Sequence, residues 1–224
     1  MRYFLVFILM SVCSVVIPLS SNAAEITLAE TFSTDYITKS GSQIGTGPVS
    51  QTLFKAGHAG WYGCVWNNYD FQMGKTTETD LSIGKIFQTE NHYGKFFFDL
   101  SYQYWLEEKA FEHVLEVAIK HQGTVNTSVV WTKLITDGPD FDRNRFYLEL
   151  SKPLVVNSFL ITPSVSTAYL DNFFGSRGLA HVTVRLKGEY QINKNLSVFL
   201  QVNGQKGIIK KDLLYGGTGL KWIF

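Results

Sequence analysis

From residue 24 onward the chain alternates apolar and polar positions in short runs, the period of a strand that keeps one face in an apolar medium. In Leu179–Ile192, Val182, Val184, Leu186, Tyr190 and Ile192 share one side, and His181, Thr183, Arg185, Lys187, Glu189 and Gln191 share the other. The next run sets Leu196, Val198, Leu200 and Val202 against Ser197, Gln201, Asn203 and Gln205. About twelve runs of this kind occur, with ten as the other even count the pattern allows. They lie near residues 26–40, 48–56, 60–71, 77–88, 93–106, 110–121, 125–135, 143–154, 158–170, 180–192, 195–205 and 213–224. Glu107 to His121 is the nearest thing to a helix, but Glu112, Glu116 and Lys120 alternate with Leu115, Val117 and Ile119, which favours strand. The runs around Leu53 and Val129 show no clear face, and Pro163 predicts a bulge or a strand boundary because it removes a ladder donor.

The connections carry a second pattern. Links after even-numbered runs are tight (58–59, 89–92, 122–124, 155–157, 193–194), whereas those after odd-numbered runs are longer and rich in glycine or charge (41–47, 72–76, 136–142, 171–179, 206–212). Short turns on one rim and longer loops on the other are the asymmetry of a membrane barrel. The fold class expected is therefore all-β, a closed antiparallel transmembrane β-barrel with both ends on the short-turn side. In the 171–179 loop, Phe173 and Phe174 are expected to be exposed, either folding inward as a constriction or gripping a partner.

Alternation alone does not say which face points inward, since a soluble barrel hides its apolar side and a membrane barrel displays it. Aromatic residues near run ends favour display, as interfacial girdles place them there: Tyr36, Tyr69, Phe71, Tyr104, Trp105, Phe111, Phe141, Tyr169, Tyr190 and Trp222. The first residues agree. Arg2, an apolar run broken by Pro18, and a small-residue exit at Ala23 and Ala24 predict a secretory signal peptide over 1–23, leaving 24–224 as the barrel. In the last run Leu214, Gly216, Thr218, Leu220, Trp222 and Phe224 share a face. This ending resembles the C-terminal signal of bacterial outer-membrane barrels, and the resemblance implies that Leu220, Trp222 and Phe224 are read by the barrel-assembly machinery.

Composition narrows the picture. Aromatics at 15%, 19 glycines and 5 prolines favour strands joined by turns. A net charge of +1 offers no basic footprint for nucleic acid. Cys64 is the one cysteine beyond the signal segment, which excludes an internal disulfide, and His58, His92, His113, His121 and His181 do not pair at metal spacing. No cofactor is expected.

The segments Thr34–Gln43 (TDYITKSGSQ), Gly60–Asp70 (GWYGCVWNNYD) and Glu78–Gly84 (ETDLSIG) resemble a family of small, largely uncharacterised proteobacterial outer-membrane β-barrel proteins. That family shows Ser-Asp-Tyr, a Gly-x-Tyr-x-Gly-x-Trp motif and a C-terminal Phe, and its porin-like roles are inferred mainly from shape. Lys39-Ser40 stands where the family has Arg-Gly, and Asn67 where it has Ser. The resemblance implies residence in the bacterial outer membrane after export through the periplasm, with lipid as the surrounding partner.

The candidate site is the lumen. Asp35, Asp80, Asp99, Glu112, Glu116, Lys120, Arg145, Glu149, Arg185, Lys187, Glu189 and Lys221 are expected to point inward. They form an acidic strip near the sixth run and a basic strip near the tenth. Small residues expected between them (Gly63, Ser82, Ser101, Thr162, Ser164, Ser166, Gly217, Gly219) leave room for water. One reading is a narrow porin-like channel for passive diffusion of small polar solutes. The other is a barrel closed by internal salt bridges, structural or surface-binding through its loops. A lipid-modifying enzyme has less support: His113 is expected to face outward beside Leu115, but no motif places a serine with it.

Overall fold

The computed structural model describes residues 24–45, 47–107, 111–135 and 143–224. Among these residues twelve antiparallel strands close into a barrel, with no helix. They are β1 (Glu25–Ser33), β2 (Val49–His58), β3 (Trp61–Asp70), β4 (Lys75–Asn91), β5 (Gly94–Glu107), β6 (Phe111–Gln122), β7 (Asn126–Leu134), β8 (Asn144–Ser151), β9 (Phe159–Phe173), β10 (Ser176–Gln191), β11 (Leu196–Gly207) and β12 (Leu213–Ile223). Each strand pairs with its neighbours in the chain, and β1 pairs with β12 from Thr27 opposite Ile223 to Ser33 opposite Gly217. Reciprocal bonds between Ile26 and Phe224 (3.3 and 2.9 Å) extend that closure. Closure leaves no sheet edge, which is what a wall in lipid requires. The expected signal segment, the 136–142 link and Phe141 lie outside the described residues.

Outward faces are apolar. Val184 and Val202 are 61% and 51% exposed, whereas their inward neighbours Thr183 and Asn203 are buried. Leu81, Ile83, Leu100, Val129, Leu148, Val165, Val182 and Leu186 continue this band. Aromatics frame it: Trp61, Phe87, Phe159, Tyr190, Trp222 and Phe224 toward the short-turn rim, and Phe32, Tyr69, Phe71, Tyr104, Phe111 and Tyr169 toward the other. Leu220, Trp222 and Phe224 all face outward, and the last two rings stack at 5.0 Å.

Several expectations need correction. Gly63 lies opposite Ala56 on the outward face, because the register that buries Asn68 and Asp70 leaves odd-numbered residues of β3 outside. Tyr36 and Trp105 turn inward rather than joining a girdle. The two runs without a clear face resolve for opposite reasons. β7 is apolar on both sides, since Val130 and Leu134 join an inward cluster with Val114, Ala118, Tyr147, Ala168, Leu170 and Phe173. β2 mixes polar and apolar residues on both: Ser50 and Thr52 point out beside Phe54 and bond Glu30, Thr52 to its Oε2 at 2.6 Å, while Gln51 and Lys55 point in beside Leu53. A lipid-facing carboxylate is costly, and its two hydroxyl partners partly replace water.

The proline expectation is also revised. Pro163 lies within β9 without any bulge, and the register of β8 against β9 stays constant from Ser151 opposite Ser164 to Leu154 opposite Ile161. The interruption falls instead at Lys152-Pro153, so β8 resumes only as Leu154–Val156. Lys152 N–H donates to the Pro163 carbonyl (3.1 Å), but proline has no N–H to return the bond. The β9–β10 bulges lie elsewhere, after Ala168 and after Leu170.

Turn geometry shortens one expected loop. Phe174 (φ 48°) and Gly175 (φ 72°) form a two-residue turn with both residues left-handed, the twist a hairpin favours. The 171–179 segment is therefore mostly strand: Phe173 pairs with Ser176 and is 1% exposed, while Phe174 stays exposed. On the same rim Lys206 Nζ and Gly207 N–H donate to Asp212, holding its carboxyl below the usual range.

Candidate functional site

The first expected strand does not continue to residue 40. β1 ends at Ser33, and the chain folds into the barrel as a small hairpin that pairs Tyr36–Ile37 with Gln43–Ile44. Its turn is closed by Thr38 N–H to the Ser42 carbonyl and Gly41 N–H to the Thr38 carbonyl, both 2.9 Å. Gly41 is required twice over: its φ is +76°, and a Cβ there would lie 2.4 Å from the His181 ring. The hairpin bridges the lumen. On one wall Gln205 Nε2 donates to the Gly41 carbonyl (3.0 Å), and His181 Nε2 meets the Lys39 carbonyl (3.2 Å). A carbonyl only accepts, so His181 carries its proton on Nε2 and Nδ1 accepts from Thr183 Oγ1 at 3.0 Å. On the opposite wall Lys39 Nζ reaches Glu116 (3.4 Å).

Under this hairpin the lumen charges divide into linked groups. Arg145, buried, donates to Thr132 Oγ1 (2.8 Å) and to Glu116 (3.5 Å), and its guanidinium lies 5.1 Å from the Phe173 ring centre. Tyr36 packs on Trp66 with ring centres 5.2 Å apart. Burial, then the nearby Glu78 and Asp80 carboxylates, push its phenol well above its ordinary range, so it stays a donor. A cavity of about 150 Å³ opens here, lined among others by Lys39, Glu78, Asp80, Trp105, Arg145 and Phe173.

Toward the short-turn rim the spacing is looser. Tyr62 hydroxyl donates to Asp99 (2.8 Å), which faces Lys120 at 3.9 Å, and Lys55 sits 4.1 Å over the Tyr62 ring. Arg185 pairs with Glu149 (3.5 Å), and Lys187 with Glu189 (2.7 Å). Aromatic rings crowd inward glycines: a Cβ on Gly84 would meet Tyr62 at 2.6 Å, and one on Gly219 would meet the Glu30 carbonyl at 2.3 Å and Phe199 at 2.7 Å. These glycines therefore serve ring packing rather than open space.

Of the residues expected in the lumen, Asp80, Asp99, Glu112, Glu116, Lys120, Arg145, Glu149, Arg185, Lys187, Glu189 and Lys221 lie on inward strand positions. Asp35 belongs to the inserted segment and accepts from Gln43 Nε2 (2.8 Å). The basic strip is neutralised within itself by Glu149 and Glu189. Sequence reading missed Lys39, which pairing alone reveals, and Glu78, which two-residue spacing from Asp80 already placed on the same face. His113 does face outward, where its Nδ1 meets the Tyr102 hydroxyl and its ring lies among Tyr102, Tyr104 and Phe111. Among the described residues no group of three or more His, Cys, Asp or Glu is placed to hold a metal ion.

No family model matches the chain, and no curated protein matches it in sequence. Solved structures do match in shape. The KdgM porin is 7% identical with a TM-score of 0.58, covering 88% of this chain and 98% of its own. The COG4313 outer membrane channel from Pseudomonas putida F1 is 10% identical with a TM-score of 0.58, over 94% and 98%. Outer membrane phospholipase A from Escherichia coli is 11% identical with a TM-score of 0.50, over 88% and 89%. At these identities the likeness shows the fold, which porins and an enzyme share.

Proposed function

We propose that this barrel resides in the bacterial outer membrane and works as a narrow, porin-like channel for passive diffusion of small polar solutes. The observation that carries this reading is the state of the inward charges. Side chains of Lys120 (50% exposed), Arg185 (32%) and Lys187 (32%) are wetted inside the wall rather than sealed in it. A barrel closed by salt bridges would bury them. Twelve strands fall between a side-chain-filled eight and an openly aqueous sixteen, so the inserted hairpin sets the bore. The shape shared with a porin and an outer membrane channel supports the reading. For the enzyme alternative, the outward His113 bonds a tyrosine within an aromatic belt, which gives no activated nucleophile.

Planar-bilayer recording tests it. Stepwise currents are expected, and changing Arg185 and Lys187 together to Gln shifts the reversal potential toward cations, because Glu149 and Glu189 lose their partners and keep their charge. A folded barrel without current would overturn the channel and leave the structural reading. Sidedness has its own check. A cysteine at Ser176, beside the Phe174-Gly175 turn, is expected to react with an impermeant maleimide on intact cells, and one at Asn193, in a short turn, is not. The reverse pattern would invert the topology.

A further inference from the structure

We propose that the cavity beneath the inserted hairpin is a binding site for small organic cations bearing a primary ammonium group. This rests on the channel reading only in making the site part of a solute path. Four carboxylates and two cations line the cavity. Both cations already serve Glu116: Lys39 at 3.4 Å and Arg145 at 3.5 Å. Glu78 and Asp80, two residues apart on the inward face of β4, therefore have no cationic side chain of their own. Glu78 is 5% exposed, and its Oε2 has no hydrogen-bond partner; neither does Oδ1 of Asp80. The Tyr36 hydroxyl donates to the Glu78 carboxyl and the two carboxyl groups bond each other, yet one buried oxygen of each is left without a donor, which leaves the donors of a cation from outside the chain a place to bind.

The chemistry of the lining says which kind. Among the described residues no three of these carboxylates converge as a metal ion would require, and a hard divalent ion takes six or more oxygen ligands or keeps most of its waters. An ammonium group brings three donors in a compact head. The Tyr36 and Trp105 rings beside the carboxylates offer π faces to a cation and apolar surface to an alkyl stem. Room of about 150 Å³ admits a short aliphatic amine and excludes a bulky one. A solute descending through the hairpin rim would meet this pair before the balanced charges below it.

The probe is 1,4-diaminobutane, titrated calorimetrically into the full-length barrel folded in detergent, with its block of current recorded on the same preparation. The wild-type protein is expected to bind it, and the double variant Glu78→Gln, Asp80→Asn to bind about tenfold more weakly or less, as loss of charged hydrogen bonds implies. That variant removes uncompensated charge and is expected to fold; heat-modified gel mobility verifies this. Butyrate, with the same stem and the opposite charge, is expected not to compete. Absence of amine binding in the wild type, or unchanged binding in the double variant, would overturn the site. A barrel that binds the amine but passes no current keeps the site and removes the channel; a conducting barrel indifferent to the amine does the opposite.

Discussion

Replacing residues 34–48 with a two-residue Asn-Gly turn raises single-channel conductance, on the order of threefold or more, since the hairpin is the element that crosses the lumen. The register makes the excision clean. Ser33 lies directly opposite Val49, so the flanking strands meet a two-residue turn without a shift, and Asn-Gly supplies the left-handed conformations such a turn needs. No barrel strand is lost. The groups that held the hairpin, Gln205 and His181 on one wall and Glu116 on the other, return to water in a widened lumen, so stability should change little. Conductance equal to the wild type in a folded variant would show that the narrowest point lies elsewhere, most simply among the Tyr62, Asp99 and Lys120 groups nearer the other rim.

Arg145→Ala is the substitution expected to cost most stability, about 3–5 kcal/mol, the range for removing one partner of a buried ion pair. The buried guanidinium serves Thr132 and Glu116 at once and fills the space between Trp105 and Phe173, with ring centres at 5.9 and 5.1 Å. Without it Glu116 keeps the Thr132 hydroxyl (3.1 Å) and Lys39, whose side chain is half exposed, and Phe173 loses its packing partner. Urea unfolding of the barrel refolded into lipid vesicles, followed by tryptophan fluorescence, measures the loss. Arg145→Lys should recover only part, because an ammonium replaces the charge but neither the flat stacking surface nor the fork of donors. A loss under 1 kcal/mol for the alanine variant would mean that water reaches Glu116 freely and screens the pair as it would at a surface.

The wall of this barrel was legible in the sequence because strand period and turn chemistry are local. Val182, Val184 and Leu186 alternate with Thr183, Arg185 and Lys187 whatever lies across from them, and the parity of short and long links needs only counting. Contents of the lumen were not legible in the same way. Residues 36–40 alternate as a strand would, and nothing in Thr38 or Ser40 announces that the chain turns inward at Thr34; that depends on His181 and Gln205, well over a hundred residues later. Phe173 illustrates the intermediate case. Its neighbourhood reads as a loop because of Gly175 and Gly178, yet the glycines permit a tight turn and a strand irregularity, and the ring is drawn in over Arg145. Glu78 was legible and was passed over, since its spacing from Asp80 is the strand period itself.

Pro153 and Pro163, diagonal to each other across the β8–β9 seam, bear on how the wall comes apart. Between β8 and β9 the ladder runs for eight pairs, breaks at Lys152-Pro153 opposite Thr162 and Pro163, and resumes for three. The seam between β1 and β12, where the ends of the chain meet, has no such gap. Fraying therefore starts not at the chain ends but at the rim hairpin joining Val156 to Phe159, where three pairs below the break open as a unit. Amide protons of residues 154–156, which pair with β9 alone, exchange with solvent long before those of β12, and a protease at that rim finds its first cleavable strand there, leaving the rest of the cylinder standing.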